Sequence, residues 1–393
     1  MTERHLPRMN WPSGASDPVA PPLQMSVVYA SRSPDALDDQ YEGRVPGHTY
    51  SREGHPNAES LAVRIAALEG APNRGWVTGS GMAALTAAIL AVASRGDRVV
   101  GGDQLYGRTR RMMVEDLPRF GIDAVLADPT DAAAFAEAVG PGTRLVLLEA
   151  VSNPTLRMAD VRGIVRAAHA VGALVLVDNT FTTPAGLRPF EHEADIVVHS
   201  VTKLLAGHSD AMLGWVCARD PEIQSRIETL AITFGLTPSP FDCWLAERGL
   251  HTFSLRQAEA ERTAGILADH LADLPGVRRV VYPGRADHPD RAAASELLLG
   301  PGNMLSFEIE GGRAAANRLT EAMEDIPFAP TLGDVATTLS HPASSSHRGL
   351  TVEAREALGI TEGFFRVSVG IEPPEILCKA FETGISAASE DRA

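Results

Sequence analysis

Short, mainly apolar runs separated by helix-like segments recur through the middle of this chain of 393 residues, and they limit the possible folds more than any other feature. Five runs stand out, at 98–100, 124–126, 145–148, 174–177 and 196–198. Runs of this length, with many β-branched residues, are typical of strands buried on both faces. Because strand and helix signals alternate, the chain is predicted to form an α/β fold around a mostly parallel sheet.

Polar side chains follow three of these runs at the point where each predicted strand ends. The carboxyl ends of parallel strands lie at one edge of a sheet, and open α/β sheets bind their ligands there. The sequence therefore predicts a site at this edge. The residues that follow the three runs are Glu149, Asn153, Asp178, Asn179, Ser200, Thr202 and Lys203.

The stretch 195–214 is the most informative part of this edge, because it places one amine beside several hydroxyls. Ser200 and Thr202 come just before Lys203, and small or polar residues follow it. A lysine in this setting suits a Schiff base with an aldehyde cofactor, while the hydroxyls hold the cofactor's phosphate. A solvated lysine in a strand-to-helix loop is the alternative that these residues leave open.

Pyridoxal phosphate is such a cofactor, and its ring needs two further residue types. Its pyridine nitrogen needs a carboxylate in a poorly solvated place, which Asp178 offers at the end of an apolar run unless it is a helix N-cap. The ring also needs an apolar or aromatic face, for which Tyr106 qualifies unless it is a core residue. A phenol in that position also moves protons if its pKa falls from about 10.

The cofactor phosphate and the carboxylate of an amino-acid substrate both need hydrogen-bond donors. Arg366 stands in the alternating run 364–369 and offers a guanidinium for a substrate α-carboxylate. A solvated edge charge is the other interpretation of Arg366. A phosphate dianion prefers backbone amides, hydroxyls and arginine. The phosphate candidates, each also compatible with a turn or a cap, are Gly81, Met82, Ser200, Thr202 and Arg52.

Charge and composition exclude several classes of partner. The formal net charge of −15 argues against a nucleic-acid or anionic-membrane surface. No apolar run approaches the ~20 residues that span a bilayer, and the first residues lack a signal pattern, so we expect a cytoplasmic protein. Cys217, Cys243 and Cys378 are far apart, which indicates neither a disulfide framework nor a thiolate metal site.

The chain divides into three predicted parts. Residues 1–57 form a proline-rich arm followed by a loop that carries Tyr50 and Arg52. Residues 58–245 form the large cofactor-binding domain. Residues 246–393 form a smaller α+β domain, because long helical patterns over 241–271 are followed by strand-like alternation.

Several motifs resemble, in order along most of the chain, those of the Cys/Met-metabolism pyridoxal-phosphate enzymes. This family includes cystathionine γ-synthase, cystathionine γ-lyase, cystathionine β-lyase and methionine γ-lyase. The motifs are Tyr50-Ser-Arg52, Ser80-Gly-Met82, Tyr106-Gly-x-Thr109, Asn153-Pro-Thr155, Val177-Asp-Asn-Thr180, Ser200-x-Thr-Lys203, Gly207-His-Ser-Asp210, Arg248-Gly-Leu250, His341-Pro-Ala-Ser344 and Arg366-Val-Ser-Val-Gly-Ile-Glu372.

The resemblance implies an aspartate-aminotransferase-like fold (fold type I) and a homotetramer built from two tight dimers. It implies that Lys203 is the Schiff-base lysine, that Asp178 pairs with the pyridinium and that Tyr106 stacks on the ring. By the same resemblance, Tyr50 and Arg52 reach the phosphate of the neighbouring subunit. Arg366 and Asn153 hold the substrate carboxylate and the cofactor edge.

Three departures from the family pattern concern the substrate. Family members that handle cystathionine often carry Glu before Ser-Leu-Gly, whereas Pro330 precedes Thr331 here. Arg108 replaces a small residue, and His55-Pro56-Asn57 stands where Asn-Pro-Thr is usual. We count Thr331 and Arg108 among the substrate-binding candidates. Arg108 either receives a second anionic group of the substrate or is a surface residue.

The predicted function is pyridoxal-phosphate-dependent γ-elimination or γ-replacement on a sulfur-containing or O-acylhomoserine-type amino acid, with Lys203 removing the Cα proton. One alternative is a β-acting carbon-sulfur lyase, and another is a specialised γ-replacement enzyme with a non-standard nucleophile. A catalytically silent scaffold and a metal hydrolase that uses His199, His208 and Asp210 are weaker alternatives.

Overall fold

The computed structural model describes residues 19–390 and contains two sheets. Most of the predicted N-terminal arm, at 1–18, lies outside the described residues. The strands are β1 Trp76–Thr78, β2 Arg98–Gly102, β3 Asp123–Ala127, β4 Thr143–Glu149, β5 Leu174–Asp178, β6 Ile196–Ser200, β7 Gly214–Ala218, β8 Val277–Val281, β9 Met304–Ile309, β10 Thr338–Ser340 and β11 Phe364–Ser368.

The large sheet has the strand order β1-β7-β6-β5-β4-β2-β3. The five predicted runs are β2 to β6, and they pair in parallel with one another. The mostly parallel sheet is therefore confirmed. The pattern did not predict β7, which pairs antiparallel with β6 on one side and with β1 on the other.

Helices connect the strands of the two sheets. They are α1 Pro34–Tyr41, α2 Pro56–Glu69, α3 Gly81–Val92, α4 Gly107–Arg111, α5 Ala132–Ala138, α6 Val161–Ala170, α7 Thr183–Gly186, α8 Pro221–Thr233, α9 Pro240–Leu250, α10 Phe253–Ala272, α11 Arg291–Leu297, α12 Gly312–Ala322, α13 Val352–Ala357 and α14 Pro374–Ser389. None of those within residues 19–390 is long and apolar enough to cross a membrane.

Alternate residues of the central strands supply two apolar layers. Val175 and Val177 of β5 pack on one face with α2, α6 and α9, whereas Leu176 packs on the other face with α3. All three side chains are fully buried. Burial of each such side chain contributes about 1.5–3 kcal/mol relative to exposure, so the two layers hold the strand ends in fixed positions.

The C-terminal sheet is antiparallel, with the order β10-β11-β9-β8. Its β9 and β11 confirm the strand-like alternation seen in the sequence, and α10, α12 and α14 pack against one face. The predicted long helical stretch is two helices, α9 and α10, which break at His251 and Thr252. Phe253 at the start of α10 packs into the large-sheet core, and Leu267 further along packs into the small one. A domain boundary near residue 245 stays a prediction.

Candidate active site

Lys203 lies in a tight turn that follows β6, at the carboxyl edge of the large sheet. Its Nζ donates a hydrogen bond of 3.1 Å to the hydroxyl of Thr331, which comes from the C-terminal part of the chain. Burial lowers the pKa of Lys203, and the nearby Arg366 cation lowers it further. Both effects disfavour the ammonium form, so the amine is more readily available as a nucleophile or base than an exposed lysine.

Few lysines in this protein could serve as the reactive amine. The chain has two lysines, Lys203 and Lys379, and its other side-chain cations are arginine and histidine. Lys379 is exposed on α14. Lys203 is therefore the amine that lies beside the strand ends.

Asp178 ends β5 and is held by a short turn. Thr180 donates to its Oδ1 from the backbone N–H at 3.0 Å and from the hydroxyl at 2.6 Å. The same hydroxyl accepts the Ser200 N–H at 2.7 Å, which ties β6 to this turn. Desolvation raises the pKa of Asp178, and the two bonds from Thr180 oppose the shift. Asp178 is not a helix N-cap, because α7 begins after Thr182.

Glu149 is a second carboxyl group at this edge, and the sequence analysis gave it no role. It ends β4, opposite Asp178 in the register of β4 and β5. The side chain is buried and accepts the Tyr106 N–H at 2.7 Å. Burial and the neighbouring Asp178 charge raise the pKa of Glu149 well above its usual value.

Arg366 reaches the same edge from β11 of the small sheet. Its Nη1 donates to Asn153 Oδ1 at 2.6 Å and its Nη2 donates to the Thr331 carbonyl at 2.7 Å. The side chain is buried, and burial lowers the pKa of Arg366 to about 10. Within the described part of the chain, its Nε has no hydrogen-bond partner. The alternative of a solvated edge charge is wrong, because this guanidinium lies inside the site.

The N-terminus of α3 meets the end of β6. A Cβ on Gly81 would lie 2.7 Å from the Cβ of Ser200, so only glycine permits this approach. Ser80 caps the helix by accepting the Ala83 N–H at 3.1 Å. The amides of Gly81 and Met82 have no carbonyl partner within the helix, as the first amides of any helix do not. These amides and the Ser200 hydroxyl are suitable donors for an anion.

Thr202 differs from the other phosphate candidates. Its hydroxyl donates to the Leu213 carbonyl at 3.2 Å and accepts the Leu213 N–H at 2.9 Å. These bonds join the Lys203 turn to the start of β7. The Thr202 hydroxyl proton is therefore already used within the chain.

Tyr106 and Arg108 lie at the start of α4. Tyr106 precedes α4 and is 42% exposed, so its ring is open to a ligand while its backbone is tied to Glu149. Arg108 is exposed on α4. The exposure of Arg108 leaves open both roles that the sequence offers for it, and its position near the mouth of the site stays a prediction.

Tyr50 and Arg52 are the predicted site residues that the structure does not bring to Lys203. The Arg52 guanidinium lies 5.3 Å from the centre of the Tyr50 ring and donates to the Ile232 carbonyl of α8 at 3.2 Å. Tyr50 is 38% exposed. Within residues 19–390, no hydrogen bond joins either side chain to Lys203 or Asp178.

The metal-hydrolase alternative does not fit the geometry. His199 is fully buried and contacts Glu69 on the opposite side of β6 from Ser200, whereas His208 and Asp210 are exposed. In the part of the chain that the structure describes, no group of three or more His, Cys, Asp or Glu side chains is placed to hold a metal ion.

The assembled residues fit a pyridoxal-type cofactor. A buried amine with a lowered pKa, a desolvated carboxyl group at Asp178 and the free first amides of α3 supply the three kinds of contact that such a cofactor needs. The unpartnered Nε of Arg366 offers a further donor to a substrate anion. Fold and site thus define a lysine-based cofactor enzyme of the α/β class.

Comparison with known proteins agrees with this class. A family model described as Cys/Met metabolism PLP-dependent enzyme matches residues 9–386. The chain belongs to this family, and pyridoxal phosphate is its cofactor.

Individual relatives cover nearly the whole chain. It is 42% identical to cystathionine beta-lyase MetC of Bacillus subtilis (strain 168), over 86% of each chain. It is 37% identical to O-succinylhomoserine sulfhydrylase of Pseudomonas aeruginosa, over 91% of this chain and 89% of the relative. The crystal structure of cystathionine gamma synthase from Xanthomonas oryzae pv. oryzae, in complex with aminoacrylate and cysteine, is 37% identical and superposes with a TM-score of 0.89, over 94% of this chain and 93% of that one.

These comparisons confirm the predicted family, fold class, cofactor and type of enzyme. They also agree with the predicted γ-elimination or γ-replacement chemistry, and the β-lyase relative keeps the first alternative open. The roles of the individual site residues stay predictions. Glu149 and Thr180 were placed at this edge and in a motif but were given no role, although an Asp followed two residues later by Thr at a strand end is a recognisable turn signal.

Proposed function

We propose that this protein catalyses γ-elimination or γ-replacement on an amino acid that carries a sulfur or acyl-oxygen substituent at Cγ. The proposal depends on how Lys203 and Arg366 are arranged around Thr331. Lys203 donates a hydrogen bond to the Thr331 hydroxyl, and Arg366 donates one to the Thr331 carbonyl. A base for substrate protons and a cation for a substrate carboxylate are thereby held on one residue. An enzyme that acts on α-amino acids needs both.

Lys203 would hold the cofactor covalently, Asp178 would face its ring nitrogen, and Gly81, Met82 and Ser200 would receive its phosphate. When bound, pyridoxal phosphate supplies an electron sink that stabilises negative charge next to the substrate's α-carbon. Tyr106, open to ligand at the mouth, would cover the ring face. Asn153 supports this arrangement because its Oδ1 accepts from Arg366 and fixes the guanidinium.

The chain's own groups account for the proton transfers that γ-chemistry requires. Elimination at Cγ removes protons at both Cα and Cβ, so a base must serve two adjacent carbons. Lys203 suits this role because its stem is flexible and the pKa of its amine is lowered by burial and by Arg366. The hydroxyl of Thr331 accepts from Nζ and gives the free amine a defined resting position.

The identity of the product tests the proposal. With L-cystathionine and water, γ-elimination releases 2-oxobutyrate, ammonia and cysteine, whereas β-elimination releases pyruvate, ammonia and homocysteine. We expect 2-oxobutyrate from cystathionine or methionine, or a new thioether amino acid when an O-acylhomoserine is supplied with a thiol. Pyruvate as the main 2-oxo acid would overturn the proposal and establish the β-lyase alternative, which the 42% identity to a cystathionine beta-lyase favours.

A separate experiment tests which lysine binds the cofactor covalently. Borohydride reduction of the purified enzyme followed by peptide mass spectrometry should place the pyridoxyl label on Lys203. Lys379→Ala is the matched control because Lys379 is the other lysine of the chain, and it should leave labelling unchanged. Loss of the label in Lys379→Ala, or its persistence in Lys203→Ala, would contradict the assignment.

Assembly and location belong to the same proposal. We place Tyr50 and Arg52 in the active site of a neighbouring subunit within a homotetramer of two tight dimers. The exposure of Tyr50 and the hydrogen bond of Arg52 to α8 support that arrangement. We propose the cytoplasm as the location because the cysteines Cys217, Cys243 and Cys378 are free.

A further inference from the structure

Arg256 of α10 is a buried cation that contacts the turn of Lys203. Its Nη1 donates to the Leu204 carbonyl at 3.0 Å, and its Nη2 donates to the carbonyls of Leu205 at 3.1 Å and Gly249 at 3.1 Å. Its Nε donates to the Thr252 hydroxyl at 3.2 Å. The guanidinium is thus bonded mainly to backbone carbonyls, two of which come directly after Lys203.

These two carbonyls need an outside donor because of how the turn ends. Within the turn, Ala206 N–H donates to the Val201 carbonyl at 2.9 Å and Gly207 N–H donates to the Lys203 carbonyl at 2.8 Å. The chain then leaves the turn at Gly207, which has φ +76°. Helical bonding therefore does not continue to Leu204 and Leu205, and their carbonyls resemble the orphan carbonyls of a helix end. Arg256 satisfies both.

The fit between Arg256 and the turn is close. A Cβ added to Gly207 would lie 1.9 Å from Arg256 Nη1, so the guanidinium occupies the space that a side chain would need. The Arg256 side chain is buried, and a buried cation that loses its acceptors is costly. The turn and the guanidinium therefore depend on each other.

The turn is also held by the loop 331–335. Val335 N–H donates to the Gly207 carbonyl at 2.9 Å. A Cβ on Gly333 would lie 2.5 Å from the Leu204 nitrogen, so this loop also lies directly on the turn. The turn of Lys203 is thus held both by the Arg256 guanidinium and by the Thr331 loop.

We propose that Arg256 is a positioning residue for Lys203, which it holds in place through the carbonyls of the two residues that follow. The proposal rests on the assignment of Lys203 as the reactive amine. It predicts that loss of the guanidinium loosens the turn and moves the amine relative to Thr331 and Arg366. Misplacement of a reacting group by about 1 Å costs on the order of 100-fold in rate.

The test compares Arg256→Met, Arg256→Lys and the control Arg262→Met in the full-length protein. Arg262 is an exposed arginine on the same helix, where it pairs with Glu259. The first readout is amide hydrogen exchange in the cofactor-free protein, which does not depend on the reaction. We expect the amides of Ala206 and Gly207 to exchange faster in Arg256→Met, with those of β6 unchanged.

The second readout is steady-state kinetics of the loaded enzyme. We expect kcat of Arg256→Met to fall on the order of 100-fold while KM changes little, because Arg366 stays in place. Arg256→Lys keeps a cation without the planar fork and should lie between Arg256→Met and the wild type. If Arg256→Met does not fold, the same comparison of exchange and kcat is made with Arg256→Lys alone.

Two outcomes would overturn the proposal. One is uniform acceleration of exchange across the fold with an unchanged kcat per folded molecule, which is the result of a merely structural role. The other is exchange at Ala206 and Gly207 equal to that of Arg262→Met. If Lys203 does not carry the cofactor, the proposed function fails. The hydrogen-exchange result still reports whether Arg256 holds the turn.

Discussion

Glu149 and Asp178 are register partners on neighbouring parallel strands, so two carboxyl groups end β4 and β5 side by side at the edge where Lys203 lies. They are held differently. Asp178 accepts two hydrogen bonds from Thr180, whereas Glu149 accepts one from the Tyr106 backbone. Two desolvated carboxyl groups in contact oppose each other's ionisation, and the one with more donors holds its negative charge more easily. Asp178 is therefore the carboxylate of the pair, and Glu149 is the group whose pKa rises furthest.

The first prediction concerns Glu149 and the pH dependence of stability. Because its pKa is raised in the fold, the folded protein binds this proton more tightly than the unfolded chain, whose reference pKa is about 4.3. The stabilisation is fully present below that value and is lost as pH rises through the folded pKa. We expect cofactor-free Glu149→Gln, which keeps an acceptor for the Tyr106 amide, to lose less stability as pH rises than the wild type.

Urea unfolding at a series of pH values measures this difference. The exposed Glu324→Gln is the matched control and should retain the pH slope of the wild type. A Glu149→Gln protein whose unfolding free energy follows the wild-type pH curve would refute the assignment of a raised pKa to Glu149.

The second prediction concerns Asp178. Asp178→Asn keeps the size of the side chain and removes its charge, so the cofactor's ring nitrogen would lose the anionic partner that we propose for it. We expect kcat to fall on the order of 100-fold or more while the cofactor stays attached to Lys203. Thr180→Val should give a smaller loss, since it removes one of the two bonds to Asp178, and Thr180→Ser should restore it. Activity of Asp178→Asn within a factor of about two of the wild type would argue against this role.

The third prediction concerns substrate binding by Arg366. An ammonium cannot reproduce the two directed bonds that the guanidinium makes to Asn153 and Thr331 while also presenting a donor to the substrate. We expect Arg366→Lys to raise KM for amino-acid substrates by about 10- to 100-fold, which corresponds to about 1.5–3 kcal/mol for a charged hydrogen bond. Steady-state kinetics test this expectation. An unchanged KM together with a reduced kcat would show that Arg366 acts on the reaction and not on carboxylate binding.

The fourth prediction concerns sharing of the site between subunits. Arg52→Ala and Lys203→Ala should each be inactive alone, because each removes one half of a composite site. When the two proteins are unfolded together and refolded at equal amounts, about a quarter of the sites should contain both wild-type residues. Recovery of activity near that fraction supports the shared site. No recovery, with mixed oligomers confirmed by native mass spectrometry, would place Arg52 outside the neighbouring site.

Much of the fold could be predicted because the central strands carry their signal locally. The runs at 145–148 and 174–177 are apolar on both faces, and this pattern is typical of strands covered by helices on each side. The strand β7 was missed because Gly214–Ala218 is a short run whose antiparallel return beside β6 depends on contacts that no local pattern records. The sequence predicted the helical stretch but not the position of its break. Arg248 and Gly249 remain helical, and the break falls after Leu250 because tertiary contacts, which no local pattern records, determine where α9 ends.

The positions of Asp178 and Lys203 could be predicted because each follows an apolar strand at one edge of the sheet, whereas their roles stay predictions. The site was less predictable where a residue acts through packing. Arg256 lies in a helix whose sequence is rich in charge, so it resembles a solvated arginine until the carbonyls of the Lys203 turn are brought against it. Glu149 is similar, since burial in the folded chain and the Asp178 charge raise its pKa, and the residues that bury it are distant in sequence.

The hydrogen bonds that support the Lys203 turn come from residues that are synthesised long after it. Arg256 lies beyond the two helices α8 and α9, and Val335 follows Lys203 by more than a hundred positions. A nascent chain on the ribosome can therefore pair β2 to β6 before it can shape this turn. The Lys203 amine gains its geometry only after the residues up to Val335 have emerged, so translation products that stop before them should contain a sheet without a competent cofactor site.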